Sequence, residues 1–381
     1  MASSHRRWSK SEKLLLFSPL LILLAWMVVA PPRWIMERVF GWPRVIKMPT
    51  GVILRGIASS ADGKIVAAGG FHDQLQNGQS YAAKDSGDVY LYEARSGQLL
   101  LKIPTQQWRG KYGLLGFDAY GLALSPNGRL LARNLIGDNL RLFDVKAGKQ
   151  IGVLPFESHR TVFSPDGKLL AAAYGDTVRI WNLAQGKIQR VIKGVNYYDS
   201  EFSPNGKLLA CIKSVPYKVH RSTARRNGPI QIWEVATGKL YREFPGELTI
   251  ALAFSPDGSR VVSTEKGNSA DLLPLGRIRM CDVKSGRVLW TIAGENTINR
   301  YNGVISNDIV FSPDGKMIVQ HNHQATLTWR DAANGQFLRQ SKSPIKDYDS
   351  ISLPPALAFS SNGRTLVSRA GSEVHIWDIK P

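Results

Sequence analysis

One turn recurs seven times along this 381-residue chain, and it constrains the fold more than any other feature. Variants of Phe-Ser-Pro-Asp-Gly-Lys place glycines at Gly63, Gly128, Gly167, Gly206, Gly258, Gly315 and Gly363. Each follows Asp or Asn and, except before Ser259, precedes Lys or Arg. Self-similarity at a near-constant period marks an array of small units, each too small to bury its apolar face alone. A second signal alternates with the first: Val178-Arg179-Ile180-Trp181-Asn182, then Gly186-Lys187. It returns at Val89–Glu93, Leu140–Asp144, Ile230–Glu234, Ile278–Asp282 and Val374–Asp378, and around Trp329 with the aromatic displaced by one place.

Both signals are hairpin chemistry. In Ser-Pro-Asp-Gly, proline presets the first turn residue, Asp or Asn tolerates the second, and glycine accepts the positive φ of a bulged turn. Period-two apolar runs flank the turns, so each unit reads as four short antiparallel strands, a to d. With the Ser-Pro-Asp-Gly turn between a and b and a Trp-Asp-like end to strand c, residues 44 to 381 resemble the WD40-repeat β-propeller family of the bacterial type. The resemblance implies an all-β fold, a seven-bladed β-propeller of four-stranded antiparallel blades. The family's Gly-His dipeptide before strand a is missing from every repeat, which leaves Asp88, Asp138 and Asp176, ahead of strand c, as turn caps. The seventh unit ends after Trp377-Asp378, without its outer strand, while Arg44-Val45-Ile46-Lys47-Met48-Pro49 reads like the strand d at Leu99–Pro104. The ring is expected to close by lending that first strand to the last blade, which protects exposed sheet edges.

Spacing locates the variable surface. Gly167 to Gly186 spans 19 residues, whereas Gly63 to Gly97 spans 34 and Gly206 to Gly238 spans 32. Because both counted turns stay short, every excess lies in b–c or d–a connections, which emerge on one face of a propeller. That decorated face carries the candidate partner-binding residues, since aromatic and arginine side chains are the usual interface anchors. They are Trp108, Arg109, Lys111 and Tyr112; Tyr217, His220, Arg221, Arg225 and Arg226; Arg300 and Tyr301; and Tyr348. The opposite, plain face collects cations that follow the turn glycines, among them Lys168, Lys207, Lys239 and Lys316, a ring suited to anionic lipid headgroups.

The remaining charge and hydropathy sit at the amino end. Leu14–Ala30 is an almost unbroken apolar run behind Arg6, Arg7, Lys10 and Lys13, and is stopped by Pro31-Pro32. It is near the short limit for a bilayer span, and proline after Ala30 opposes cleavage. The expected layout is a cytoplasmic segment 1–13, a transmembrane signal-anchor helix 14–30, a linker 31–43 and a propeller 44–381 outside the cytoplasm. A net charge of +19 would otherwise suggest nucleic acid, which fits an exported domain poorly.

Catalytic signatures are missing. The sequence holds no Gly-x-Ser-x-Gly elbow, phosphate loop or His-Glu-x-x-His. His321 and His323 share a strand face without a third ligand at metal spacing, and read as a satisfied strand end. Cys211 and Cys281 read as buried free thiols. No metal or cofactor is expected. The leading expectation is a non-catalytic, membrane-anchored scaffold that binds a protein through the decorated face. The alternative is an exported propeller enzyme or ligand-binding protein with its site at the channel mouth, because Asp282–Trp290 resembles a quinoprotein dehydrogenase repeat. Convergent carboxylates or histidines at that mouth would favour the alternative.

Overall fold

The computed structural model describes residues 43–50, 52–76, 79–82, 88–104, 121–134, 139–219, 222–265, 276–293, 308–321, 326–342, 357–360, 363–370 and 373–379. Arg44–Pro381 forms one compact unit, with seven antiparallel sheets taken in chain order. Blades 2 to 6 are each four consecutive strands, as in blade 3: Arg160–Phe163 (a), Leu169–Tyr174 (b), Thr177–Asn182 (c) and Lys187–Lys193 (d). Blade 1 adds a fifth short strand, Gln79–Ala82, against the far end of Ile65–Gln76.

The ring closes as the sequence implies. Arg44–Lys47 pairs antiparallel with Glu373–Asp378, in register Arg44↔Ile376 to Lys47↔Glu373, and becomes the outer strand of blade 7. Arg44 also donates to the carbonyls of Ala94 and Arg95, at the c–d turn of blade 1, and its Nη2 lies 2.7 Å from Asp378 Oδ1. One side chain therefore joins the first, last and closing segments.

The repeated turn is a small hydrogen-bond device. In blade 3, Ser164 Oγ donates to Asp166 Oδ1 at 2.6 Å and accepts from the Leu169 amide at 2.9 Å, while Asp166 Oδ1 accepts from the Lys168 amide. Gly167 sits at φ +70°, closing the turn through its amide to the Ser164 carbonyl. Ser255 repeats this network with Asp257 and the Arg260 amide, and is fully buried. Replacing Ser255 with Ala strands that amide, and is expected to lower stability by about 1–3 kcal/mol. An unchanged urea midpoint for Ser255→Ala would show that the device carries no stability.

The core lies between blades. Alternate strand c residues such as Ile180, Ile232 and Met280 are fully buried there, and in blade 6 Trp329 takes this same position. The one-place displacement thus moves that indole to the opposite face, where it is 1% exposed and meets Phe359 edge-on at 6.1 Å. A side-chain slip of one residue along a strand always exchanges faces.

Further struts cross from one blade to the next. On the plain side, Arg242 Nη2 donates to the Lys284 carbonyl at 2.8 Å, Arg260 Nη2 to the Gly315 carbonyl at 3.0 Å, and Arg190 to the Ala236 carbonyl. These arginines, with Arg44, hold neighbouring turns together, so part of the positive charge is architectural. The outermost strands still expose paired apolar residues, such as Leu99 and Leu100 or Phe337 and Leu338.

Candidate functional site

The strand directions place the a–b and c–d turns on one face and all long connections on the other. Two connections are ordered β-structure and not loops. In blade 4, strand b (Leu208–Val219) and strand c (Ser222–Glu234) outrun their blade and stay paired from Ser214↔Asn227 to Val219↔Ser222. Those six pairs make a two-stranded ribbon extending about 20 Å. Pairing persists across Pro216↔Arg225, so the missing proline donor faces the ribbon's outer edge and blunts it against strand addition.

The ribbon's root is clamped. Asn227 Nδ2 donates to the Thr249 carbonyl at 2.7 Å, and the Leu248 amide donates to the Asn227 carbonyl at 3.2 Å. Leu248 itself sits at φ +51°, a left-handed conformation uncommon for leucine. Beside it, Arg279 Nη1 and Glu265 Oε1 form an ion pair of 2.7 Å with both side chains nearly buried, and Arg279 also donates to the Pro245 carbonyl.

Next to the ribbon, blade 3 is low. Its b–c connection is only Gly175-Asp176, and the His159 ring stacks on Tyr174 at 5.0 Å and 11°. Tyr174 is 39% exposed. Burial holds the His159 pKa below the usual imidazole value, against the raising effect of Glu157.

The adjacent channel mouth gathers charge. Arg160, at the start of blade 3 strand a, lies 3.0 Å from Asp199 Oδ1 in blade 4, and feels Asp308 from blade 6 across the channel. Burial pushes Glu201 to about 8 and Asp308 to about 7, and also raises Asp199 despite its arginine. These carboxylates are occupied as struts. Asp199 Oδ2 accepts from the Leu252 amide at 2.9 Å, Glu201 Oε2 from the Phe254 amide at 2.9 Å, and Asp308 from the Leu357 amide. Each carboxylate thereby satisfies the inner strand of the following blade. A cavity of about 220 Å³ lies alongside, lined mainly by aliphatic strand a residues with Arg160 and Asp308 as its charged members.

Among the residues expected at a partner surface, Tyr217, Arg225 and Arg226 are brought together on the ribbon. Trp108, Arg109, Lys111, Tyr112, His220, Arg221, Arg300, Tyr301 and Tyr348 lie outside the described residues, as do Asp138, His323 and Leu14–Ala30. On the plain face, Lys168, Lys207, Lys239 and Lys316 are all exposed at turns. The ring is weaker than its lysines suggest, because turn aspartates neutralise part of it, Asp62 lying 3.2 Å from Lys64 and Asp166 3.8 Å from Lys168.

Three sequence expectations need adjustment. The long b–c connection of blade 4 is strand over residues 213–219 and 222–228, because these residues continue the blade register. Asp88 is buried and ion-paired to Lys102 at 2.7 Å, and so does more than cap a turn. His321 is buried, but neither ring nitrogen has a partner among the described residues, and burial with Arg369 and His375 lowers its pKa to about 3. It is a neutral core histidine, not a satisfied strand end. Cys211 and Cys281 are buried free thiols, both pushed upward by burial, Cys281 to about 11. Among the described residues no group of three or more His, Cys, Asp or Glu is placed to hold a metal, and no helix is long and apolar enough to cross a membrane.

Residues 151–182, from the outer strand of blade 2 through strand c of blade 3, match the family model described as WD domain, G-beta repeat. The molecule is a seven-bladed propeller, one repeat of which matches that model. No curated protein matches the chain in sequence. Among solved structures, hydrazine synthase from Kuenenia stuttgartiensis is similar, with a TM-score of 0.60 and 15% identity over 85% of this chain and 94% of that chain. At that identity the likeness is one of fold alone.

Proposed function

We propose that this WD40-type propeller is a membrane-anchored scaffold that binds a protein partner through its decorated face. The observation carrying this reading is the asymmetry between the faces: short turns on one, and a clamped 20 Å ribbon with a low aromatic step on the other. The apolar run Leu14–Ala30 supplies the anchor, with the propeller outside the cytoplasm. The linker 31–43 reaches the ring at Arg44, whose contacts with the blade 1 c–d turn lie on the plain side. The plain face, with Lys168, Lys207, Lys239 and Lys316, therefore turns toward anionic headgroups while the ribbon points away.

The second reading is an enzyme or ligand-binding protein working at the channel mouth. Convergence of Asp199, Glu201 and Asp308 on Arg160 favours it. Their backbone bonds to the next blades count against it, because groups that hold the ring together are poorly free to move protons during turnover.

Photo-crosslinking in intact membranes separates these possibilities. A crosslinker at Thr223 is expected to trap a discrete protein, and one at Lys239 to trap lipid. Lipid adducts from Thr223 and a protein from Lys239 would reverse the orientation. Absence of any protein adduct from Thr223 would sink the scaffold reading.

A further inference from the structure

We infer that the central channel holds a binding site for a small aliphatic amino acid in its zwitterionic form, between Arg160 and Asp308. This goes beyond the scaffold reading, which stands or falls without it, and gives the ligand-binding side of the second reading a chemistry that needs no turnover. The site follows from how the inner strands are satisfied. Successive amides of a strand alternate in direction, so every second amide of strand a points away from strand b and into the channel. In blades 5 and 7 these include the amides of Leu252 and Leu357, each three residues before its turn serine, and each is capped by an aspartate of the preceding blade, Asp199 and Asp308. Both aspartates stand four residues before their own turn serines. The matching amides of blades 2 and 3 belong to Leu122 and Thr161, and the residues in the capping position are Gly56 and Gly121. Neither has a side chain to offer. A Cβ at Gly121 would collide with the side chain of Asn134, which is fully buried and has no partner among the described residues. The missing cap is therefore built into the fold.

The cavity of about 220 Å³ lies in this sector, lined by Ile57–Ser59, Leu122–Leu124 and Arg160–Phe163, with Asp308 and Leu357 from blades 6 and 7. Ser59 stands where five other blades carry phenylalanine: Phe163, Phe202, Phe254, Phe311 and Phe359. A cavity of about 150 Å³ admits benzene, so this one has room for a small organic molecule. Its polar groups specify which. Arg160 Nη2 is paired with Asp199, but Nε is buried without a partner among the described residues. Together with the Leu122 and Thr161 amides it offers a carboxylate place, where ligand oxygens stand in for the aspartates that the glycines exclude. Asp308 accepts from the Leu357 amide, and a carboxylate has two oxygens, which leaves capacity for an ammonium group. The aliphatic walls at Ile57, Leu124 and Val162 suit a branched alkyl side chain. With one fixed charge of each sign in the lining, a zwitterion leaves no buried charge unmatched, whereas a simple acid or amine would.

Titration calorimetry on the full chain in neutral detergent micelles tests this, with L-leucine as the probe. Its single-charge analogues are 4-methylpentanoate, which lacks the amine, and 3-methylbutylamine, which lacks the carboxylate. Leucine is expected to bind one site with a Kd below about 1 mM, and each analogue at least about tenfold more weakly. Asp308→Asn keeps an acceptor oxygen for the Leu357 amide and should erase the preference for leucine over 4-methylpentanoate, while Arg160→Gln should erase the preference over 3-methylbutylamine. Ser59→Phe copies the residue of five other blades, and should weaken leucine binding about tenfold or more while moving the thermal midpoint by less than about 4 °C. No saturable heat from leucine up to about 10 mM would overturn the inference, as would an analogue that binds as tightly as leucine. Unchanged leucine binding by folded Ser59→Phe would do the same. Should that variant not fold, the two charge-removing variants decide, and full discrimination retained in both would overturn the site. A protein trapped from Thr223 alongside any of these results leaves the scaffold reading standing and removes only the channel ligand.

Discussion

A chain starting at Thr50 will unfold well below the full-length protein, because it lacks the strand Arg44–Lys47 that completes blade 7. Ile46 and Met48 are 5% and 8% exposed, and both leave the core in such a truncation. Four residue pairs with Glu373–Asp378 go with them, as do the Arg44 bonds to Ala94 and Asp378. Burial of one large apolar side chain contributes about 1.5–3 kcal/mol, and each backbone bond about 1 kcal/mol. A loss of about 3–6 kcal/mol is expected after the compensating gain in chain entropy. The truncated ring also bares the edge of Glu373–Asp378, so aggregation should accompany the fall. Ile46→Asp, which keeps the strand's length, should reproduce most of the effect. Thermal and urea midpoints equal to those of the full chain would show that the closing strand does not hold the ring.

Stability is also expected to fall as pH rises from about 6.5 to 8.5. Glu201 is raised from 4.5 to about 8 and Asp308 from 3.8 to about 7, mainly by burial, so the folded state holds protons that the unfolded chain has released. An acid raised on folding favours the folded state at low pH, and that advantage disappears as pH rises through the folded value. His321, lowered from 6.5 to about 3, acts oppositely but only below 6.5, where unfolded histidine protonates. Turn carboxylates such as Asp257, held near 2 by Ser255 and Ser259, act lower still, losing their contribution as pH falls through the acid range. Above 6.5 the raised carboxylates therefore set the slope, Glu265 beside Arg279 acting in the same direction as the channel pair. At about 1.4 kcal/mol per pH unit per proton, the wild-type protein should lose about 2–3 kcal/mol there. Glu201→Gln keeps an acceptor for the Phe254 amide and removes the charge, and should lose less than about 1 kcal/mol. Parallel urea midpoints for the two proteins at pH 6.5 and 8.5 would disprove this assignment.

What the sequence discloses here follows from local chemistry. The turn glycines are legible because φ near +70° admits few other residues, and Gly167 and its equivalents recur in frame. The closing strand is legible because a period makes a missing fourth strand conspicuous. The ribbon is not, since KSVPYKVHRSTARRNG carries five lysines and arginines against four strong strand formers and resembles a solvated loop; only tertiary register pairs its two arms. The channel cluster is hidden for another reason. Arg160, Asp199 and Asp308 are dispersed over nearly 150 positions and meet only because each begins or lines an inner strand. One trace is visible: Asp199-Ser200-Glu201 interrupts an inner strand that is free of charge at the equivalent Gly121–Ala123 and Ala251–Ala253. The His159–Tyr174 stack leaves no sequence signal, because nothing in either residue states that blade 3 lacks an insertion around it.

Closure by Arg44–Lys47 sets an order on synthesis. The partner strand Glu373–Asp378 is made more than three hundred residues later, so for most of translation the first strand has nothing to join. Six blades can assemble as each is completed, one against the last, while the ring remains an open arc with a bare edge at either end. If the amino-terminal segment is the membrane anchor proposed above, the waiting strand is held beside that surface, and the final blade has to swing to it. The slowest and most chaperone-dependent moment in this protein's life should therefore be its last: docking a finished arc onto a strand made first.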